Sequence, residues 1–323
     1  MVVIIGAGPI GIATGVELKK KDIPHQIIER GCLVNSIFNY PTNMTFFSTS
    51  ERLEIGEVPF ISHGHKPTRK EALEYYRRVT ESYDLNVNLY EEVQEVQGRD
   101  GYFTVKTDRE SYEASKIVIA TGFYGQAKMM DVPGEELDKV RHYYDEPHPY
   151  AFQDVLVVGG GNSGVDAALE TYRCSANVTM ALRKDKLDDS VKYWVKPDIE
   201  NRIEEGSIDA YFNTEIKQIK EREVVLETPR GEKTISNDFV LAMTGYQPNF
   251  DLLDQLGVKY RVEEECIPVF DDDSLETNRE GIYVAGVICG GKDTSRLFIE
   301  NTRVHAKQIA DNIERNSFVK AKR

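Results

Sequence analysis

The stretch Val3-Ile4-Ile5-Gly6-Ala7-Gly8-Pro9-Ile10-Gly11 reads as a short apolar strand running straight into a GxGxxG turn, and Leu156-Val157-Val158-Gly159-Gly160-Gly161-Asn162-Ser163-Gly164 repeats it. Each copy continues into a helix-like run (Ile12 to Lys20; Val165 to Tyr172) and a second apolar strand (His25 to Ile28; Val178 to Leu182). One GxGxxG by itself is as readily a glycine-rich turn. Two copies, each inside a complete βαβ unit, predict an α/β chain with two Rossmann-like dinucleotide-binding domains. The first glycine (Gly6, Gly159) makes the tight turn, the second (Gly8, Gly161) lets backbone approach a pyrophosphate, and the third (Gly11, Gly164) lets helix pack on strand. The helix N-terminus then offers free N–H groups and partial positive charge to the diphosphate.

The ends of the second strands tell the two sites apart. Glu29, 18 residues after Gly11, stands where a carboxylate accepts hydrogen bonds from an adenosine ribose diol and disfavours a 2′-phosphate, so the first site is expected to hold FAD or NAD. The second unit ends in Leu182-Arg183-Lys184, with Lys186 close behind. Cations there suit a 2′-phosphate and hence NADPH; the plainer alternative for Arg183 and Lys184 is a solvated loop.

Two further apolar strands end in small residues, Ile117-Val118-Ile119-Ala120-Thr121-Gly122 and Phe239-Val240-Leu241-Ala242-Met243-Thr244-Gly245. Such turns let a chain cross beside a nucleotide. Short alternating runs at 98–107 and 216–235 predict antiparallel hairpins over each sheet. A last strand is expected at Gly281-Ile282-Tyr283-Val284-Ala285-Gly286, and helical spacing of Leu297, Val304, Ile309 and Ile313 predicts a terminal helix over 294–313. This order predicts an FAD domain (1–147 and 248–323) interrupted by an NADPH domain (148–247). The hinge residues would be Asp145 to Tyr150 and Tyr246-Gln247-Pro248-Asn249.

The 323 residues carry a net charge of -14 and only 40% hydrophobic residues, without the roughly 20-residue apolar run of a membrane span. Nucleic acid is an unexpected partner for so acidic a chain. The first strand begins at Val2, so no address segment is expected, and the chain reads as cytoplasmic with reduced thiols. Cys32, Cys174, Cys266 and Cys289 form no CxxC, and neither His63-Gly64-His65 nor the 142–148 stretch has carboxylates at ligand spacing, so no metal is expected. Asp271-Asp272-Asp273 and the basic tail Lys320 to Arg323 read as solvated.

The chain resembles the thioredoxin-reductase-like flavoproteins along essentially its whole length, and within them the YpdA family of FAD- and NADPH-dependent bacillithiol disulfide reductases. The residues that carry this are Val34-Asn35-Ser36-Ile37-Phe38-Asn39-Tyr40-Pro41-Thr42, Thr45-Phe46-Phe47-Ser48, Leu53-Glu54-Ile55-Gly56, His148-Pro149-Tyr150, Ala242-Met243-Thr244-Gly245-Tyr246 and Phe298-Ile299-Glu300-Asn301. The resemblance implies cofactor contacts by Pro9, Arg30, Asn39, Tyr40, Thr45, Phe47, Ala120, Thr121, Gly122, Asn162, Ser163, Thr244, Gly245, Ala285, Gly286 and Ile299. It also implies a homo-oligomer, dimeric or larger.

The departures concern the chemistry. Thioredoxin reductases carry a CxxC in the NADPH domain, where this chain has only Cys174, and Ile10 stands where YpdA-like proteins often have cysteine. The expected reaction is NADPH-dependent reduction of a low-molecular-weight disulfide such as bacillithiol disulfide, the disulfide meeting reduced flavin directly between Tyr40, Phe47 and Tyr246. By resemblance Cys289 lies near the flavin and is either a substitute redox thiol or a small buried hydrophobe. His305 is expected to face solvent. Alternatives are a flavin monooxygenase or oxidase, suggested by Val132-Pro133-Gly134 through His142-Tyr143-Tyr144; a ferredoxin or flavodoxin reductase, which the negative charge disfavours; and an NADPH sensor.

Overall fold

A computed structural model describes residues 1–321, with side chains as far as Asn316; the side chains of the basic tail Lys320–Arg323 lie outside the described residues. The chain divides into two compact units. The first comprises Met1–Asn39, Met44–Gln126 and Tyr246–Arg323, the second Tyr40–Asn43 and Ala127–Gly245.

The core of the first unit is a five-stranded parallel sheet in the order Ile282–Val284, Lys116–Ile119, Val2–Ile5, His25–Glu29, Val87–Leu89. Val2–Ile5 is central and buried throughout, as an apolar run without alternation requires when both faces are covered. Val3, Ile4, Ile27, Ile117 and Val118 are fully buried, each aliphatic side chain contributing about 2 kcal/mol. The helix Pro9–Lys20 returns the chain to His25–Glu29, completing the first βαβ unit. Residues 93–114 form a three-stranded antiparallel sheet, one strand more than the expected hairpin, because Ser111–Ala114 adds to Tyr102–Thr107. The terminal helix runs Val304–Ala321, later than expected: Leu297 precedes it and only the short helix Ile299–Thr302 lies between.

The second unit repeats the design. Its parallel sheet has the order Asp209–Tyr211, Asn177–Ala181, Asp154–Val158, Phe239–Ala242, Val140–Arg141, with the helix Asn162–Arg173 after the central strand. Glu215–Ile219, Glu223–Thr228 and Gly231–Ser236 form an antiparallel sheet of their own.

The first domain boundary differs from the expected one at 147/148. Residues 127–147 belong to the second unit because Val140–Arg141 pairs with Phe239–Ala242 as its edge strand, and Tyr144 is buried 6.2 Å from Tyr150. The prolines near 148 make a single turn of 3-10 helix, His148–Tyr150, whose Tyr150 packs edge-on against Phe239 at 5.2 Å. Tyr40–Asn43 also joins the second unit: the Thr42 N–H donates to the Asp145 carbonyl (2.8 Å), and its hydroxyl to the Asp145 carboxylate (2.9 Å).

Candidate functional site

Both glycine turns sit at the carboxyl end of the central strand of their sheet, and their geometry matches. Gly6 has φ 108°, and a Cβ there would stand 2.5 Å from the carbonyl oxygen of Ala120; Gly159 has φ 120°, and its Cβ would stand 2.4 Å from that of Met243. A Cβ on Gly11 would fall 1.9 Å from the oxygen of Gly6, and one on Gly164 2.2 Å from the oxygen of Gly159. First and third glycines therefore serve the packing of strand, turn and helix. The second ones do not: Gly8 and Gly161 would bring a Cβ within 4 Å of nothing. Their backbone (φ -71°, ψ 176°; φ -88°, ψ -173°) is open to any residue, so what glycine supplies there is space. Pro9 opens the first helix, where its missing N–H is no loss, and no side chain caps either helix. The uncapped first turns and the open second glycines fit a diphosphate.

Around the first turn, Glu29 is buried and accepts from the N–H groups of Ala7 and Gly31, each at 2.9 Å. Those bonds aim its carboxylate at the turn and leave acceptor capacity for a ribose diol. Val34 N–H donates to the Ala7 carbonyl (3.0 Å), docking the following segment on the same turn, and the Asn39 carbonyl accepts from the Tyr124 hydroxyl (3.0 Å). Arg30 reaches toward Gly125 and lies 3.9 Å from Glu92. Thr45 bridges to Thr68, and half-exposed Phe47 carries Lys66 over its ring at 4.7 Å. Ala120 N–H bonds the Ile5 carbonyl, Ala285 N–H that of Ile119, and Thr121 and Gly122 continue beyond the sheet. Ile299 is partly buried and packs against the core cluster that includes Ile10.

Around the second turn, Arg183 and Lys184 follow the strand Asn177–Ala181 and are exposed. Lys184 pairs with Asp188 (2.9 Å) and Lys186 with Asp189 (2.7 Å), whereas Arg183 makes no ion pair among the described residues. Asn162 binds the loop beyond: its Nδ2 donates to the Ser190 carbonyl (2.9 Å), and its Oδ1 accepts from Lys192 N–H (2.8 Å). Ser163 is the second residue of the helix. Thr244 donates to the Lys128 carbonyl (2.5 Å), and the Gly245 carbonyl accepts from Lys128 N–H (3.0 Å).

Cys289 is only 4% exposed in the short turn Gly286–Gly290. Burial pushes its thiol far above the usual range, which keeps it protonated and a poor nucleophile. His305 does not face solvent as expected. It is part-buried and its Nδ1 accepts from Gly286 N–H (3.2 Å) and lies 3.8 Å from Cys289 Sγ, burial pushing its pKa down to about 4. Its helical position gave no hint of this contact, made 19 residues away. Among the described residues no group of three or more His, Cys, Asp or Glu could hold a metal ion, and no helix is long and apolar enough to cross a membrane.

Two parallel sheets, each with a glycine cradle after its central strand, define the class of oxidoreductases that handle two dinucleotides. The chain belongs to the pyridine nucleotide-disulphide oxidoreductase family, whose sequence model matches residues 3–286. It is 44% identical over 315 residues to the bacilliredoxin reductase Bdr of Bacillus subtilis, covering 96% of both chains. It is similar to two solved structures of bacillithiol disulfide reductase Bdr (YpdA). The one from Staphylococcus aureus has TM-score 0.93 and 43% identity over 97% of each chain; the one from Bacillus cereus has TM-score 0.94 and 45% identity over 97% of this chain and 98% of that one. The chain is thus a flavoprotein oxidoreductase whose cofactors are FAD and NADPH, and the disulfide branch is favoured over the monooxygenase and ferredoxin-reductase alternatives.

Proposed function

We propose that the first unit holds FAD, the second holds NADPH, and the enzyme reduces a low-molecular-weight disulfide of the bacillithiol type. The observation that carries this is one cradle built twice with opposite charge at its rim: buried Glu29 in the first, and in the second Arg183, exposed and without an ion pair among the described residues. FAD held there would supply two-electron chemistry, taking a hydride from NADPH and delivering the electron pair to the disulfide, which with two protons (one carried in with the hydride, one from solvent) would be released as two thiols. Gly8 and the first turn of Pro9–Lys20 receive the FAD diphosphate, and Glu29 its ribose. Gly161, Asn162 and Ser163 receive the NADPH diphosphate, and Arg183 its 2′-phosphate. The predicted contacts of Asn39, Tyr40, Thr45, Phe47, Thr121, Gly122, Thr244, Gly245, Ala285, Gly286 and Ile299 belong to this same reading.

The substrate assignment follows the relatives named bacillithiol disulfide reductase, and the one named bacilliredoxin reductase adds a small protein disulfide as a second acceptor to test. Between residues 148 and 247 only Cys174 is present, so the acceptor disulfide meets reduced flavin without an internal dithiol relay. Cys289, buried and protonated, is a packing residue in this mechanism. A cytoplasmic homo-oligomer is part of the proposal, and light scattering reads the oligomer directly.

The test is to reduce the holoenzyme with NADPH under anaerobic conditions and time flavin reoxidation by bacillithiol disulfide, other low-molecular-weight disulfides, a bacilliredoxin disulfide, air and ferredoxin. The expected order puts bacillithiol disulfide first, with Cys289→Ala within two-fold of wild type. Reoxidation by air faster than by any disulfide overturns the proposal.

A further inference from the structure

The loop that follows Arg183 is fastened across the second glycine cradle. Asp188 N–H donates to the Gly160 carbonyl (3.0 Å), Ser190 and Lys192 bind the two ends of the Asn162 amide, and Lys192 Nζ reaches Asp166 at 2.7 Å. Leu187 and Val191 are buried in the core of the unit, pegging the strap from below, and Asp188 further accepts from the N–H and hydroxyl of Ser190. So fastened, the strap is a rigid mount. One residue beyond the Asn162 contact, about 4 Å along the chain, it presents Tyr193 and Trp194, edge to face with ring centroids 4.9 Å apart. Tyr193 is 73% exposed, more than packing would leave so large a ring. The lysines of the strap are matched by carboxylates: Lys184 by Asp188, Lys186 by Asp189, Lys192 by Asp166. Its distinctive offering to a ligand at the cradle is therefore aromatic surface rather than added positive charge.

We propose that Tyr193 and Trp194 form a stacking platform for a heterocyclic ring of the pyridine nucleotide bound at the second cradle, so that the strap recognises the base while Arg183 recognises the phosphate. This rests on the reading of that cradle as the NADPH site. A flat ring from the nucleotide lies against the exposed face of Tyr193, and Trp194 buttresses it from the side. Pre-fastening by Asn162 means the platform loses little freedom on binding.

Trp194 is the single tryptophan of the chain and so its own reporter. The experiment titrates FAD-loaded enzyme with NADP+, following Trp194 emission and, in parallel, binding heat by calorimetry. Emission is expected to change saturably with the calorimetric Kd. Tyr193→Ala is expected to weaken NADP+ about ten-fold and Tyr193→Phe to restore it, with FAD content and thermal midpoint unchanged. The adenosine half of NADP+ and nicotinamide mononucleotide, titrated separately, identify which ring is stacked by which one moves the emission. A silent Trp194 at saturating NADP+, or a Tyr193→Ala variant that binds as wild type, overturns the platform; if heat is still evolved, the NADPH assignment stands without it. No binding heat and no emission change overturns both.

Discussion

Gly8 and Gly11 lie three residues apart in one motif, yet they should fail in opposite ways when changed to alanine. At Gly11 the new Cβ would sit 1.9 Å from the carbonyl oxygen of Gly6 and 3.0 Å from its carbon, both backbone atoms that no rotamer can move. Relief requires lifting the helix Pro9–Lys20 off the turn, an overpacking cost of about 3 kcal/mol. That corresponds to a loss of roughly 6–12 °C in the melting midpoint for a unit of this size. At Gly8 the Cβ meets nothing within 4 Å and the backbone suits alanine, so the flavin-free protein should keep its stability within about 0.5 kcal/mol. On the proposed reading of this cradle, the same methyl would stand where the diphosphate approaches the N–H groups. Losing one charge-assisted hydrogen bond costs about 2 kcal/mol, roughly thirty-fold in the Kd for FAD. The assay pairs thermal melts of flavin-stripped protein with flavin titration followed by absorbance. Gly8→Ala binding FAD as tightly as wild type, or Gly11→Ala melting unchanged, would refute the division of labour.

The second cradle and the half-buried histidine supply the other tests. Arg183→Ala should raise KM for NADPH about ten-fold with kcat and the NADH reaction unchanged, and an equal loss with NADH would remove the 2′-phosphate role; Lys184, already paired with Asp188, should matter less. His305 titrates near 4 in the folded chain against about 6.5 when unfolded, so its neutral form stabilises fully above pH 6.5. As pH falls from 6.5 toward 4 the unfolded chain binds the proton first, and about 2 kcal/mol is lost by pH 5. His305→Asn, which keeps an acceptor for Gly286 N–H and cannot titrate, should lack this increment in urea denaturation, and parallel pH profiles for variant and wild type would sink the assignment.

The two glycine turns were legible because their logic is local: strand, turn and the start of the helix occupy nine consecutive residues, Glu29 ends the next strand of the first unit, and Arg183 lies two residues beyond that of the second. What escaped depends on contacts between distant residues. Val140–Arg141 is a strand of two residues, too short for any periodicity, and it joins the second unit only by pairing with Phe239–Ala242. The strap is held by bonds from Asn162 to residues 28 and 30 positions away, and its own sequence reads as a charged loop. His305 looks like any polar residue of an amphipathic helix until Gly286 is placed beside it. The helix Arg69–Ser82 does have a local signature in the sequence: Thr68 and Glu71 form a reciprocal capping box directly ahead of buried Ala72, Tyr75, Tyr76 and Val79.

The short strand at 140–141 bears on how the chain can be cut. A fragment starting at His148, where proline punctuation invites a boundary, would strip the last strand from its sheet and bare the backbone edge of Phe239–Ala242, three of whose four side chains are buried. An open apolar edge of that kind templates intermolecular pairing and precipitation. Truncation, fusion or insertion should therefore respect the junction at 126/127 and treat 127–147 as the guard on that edge.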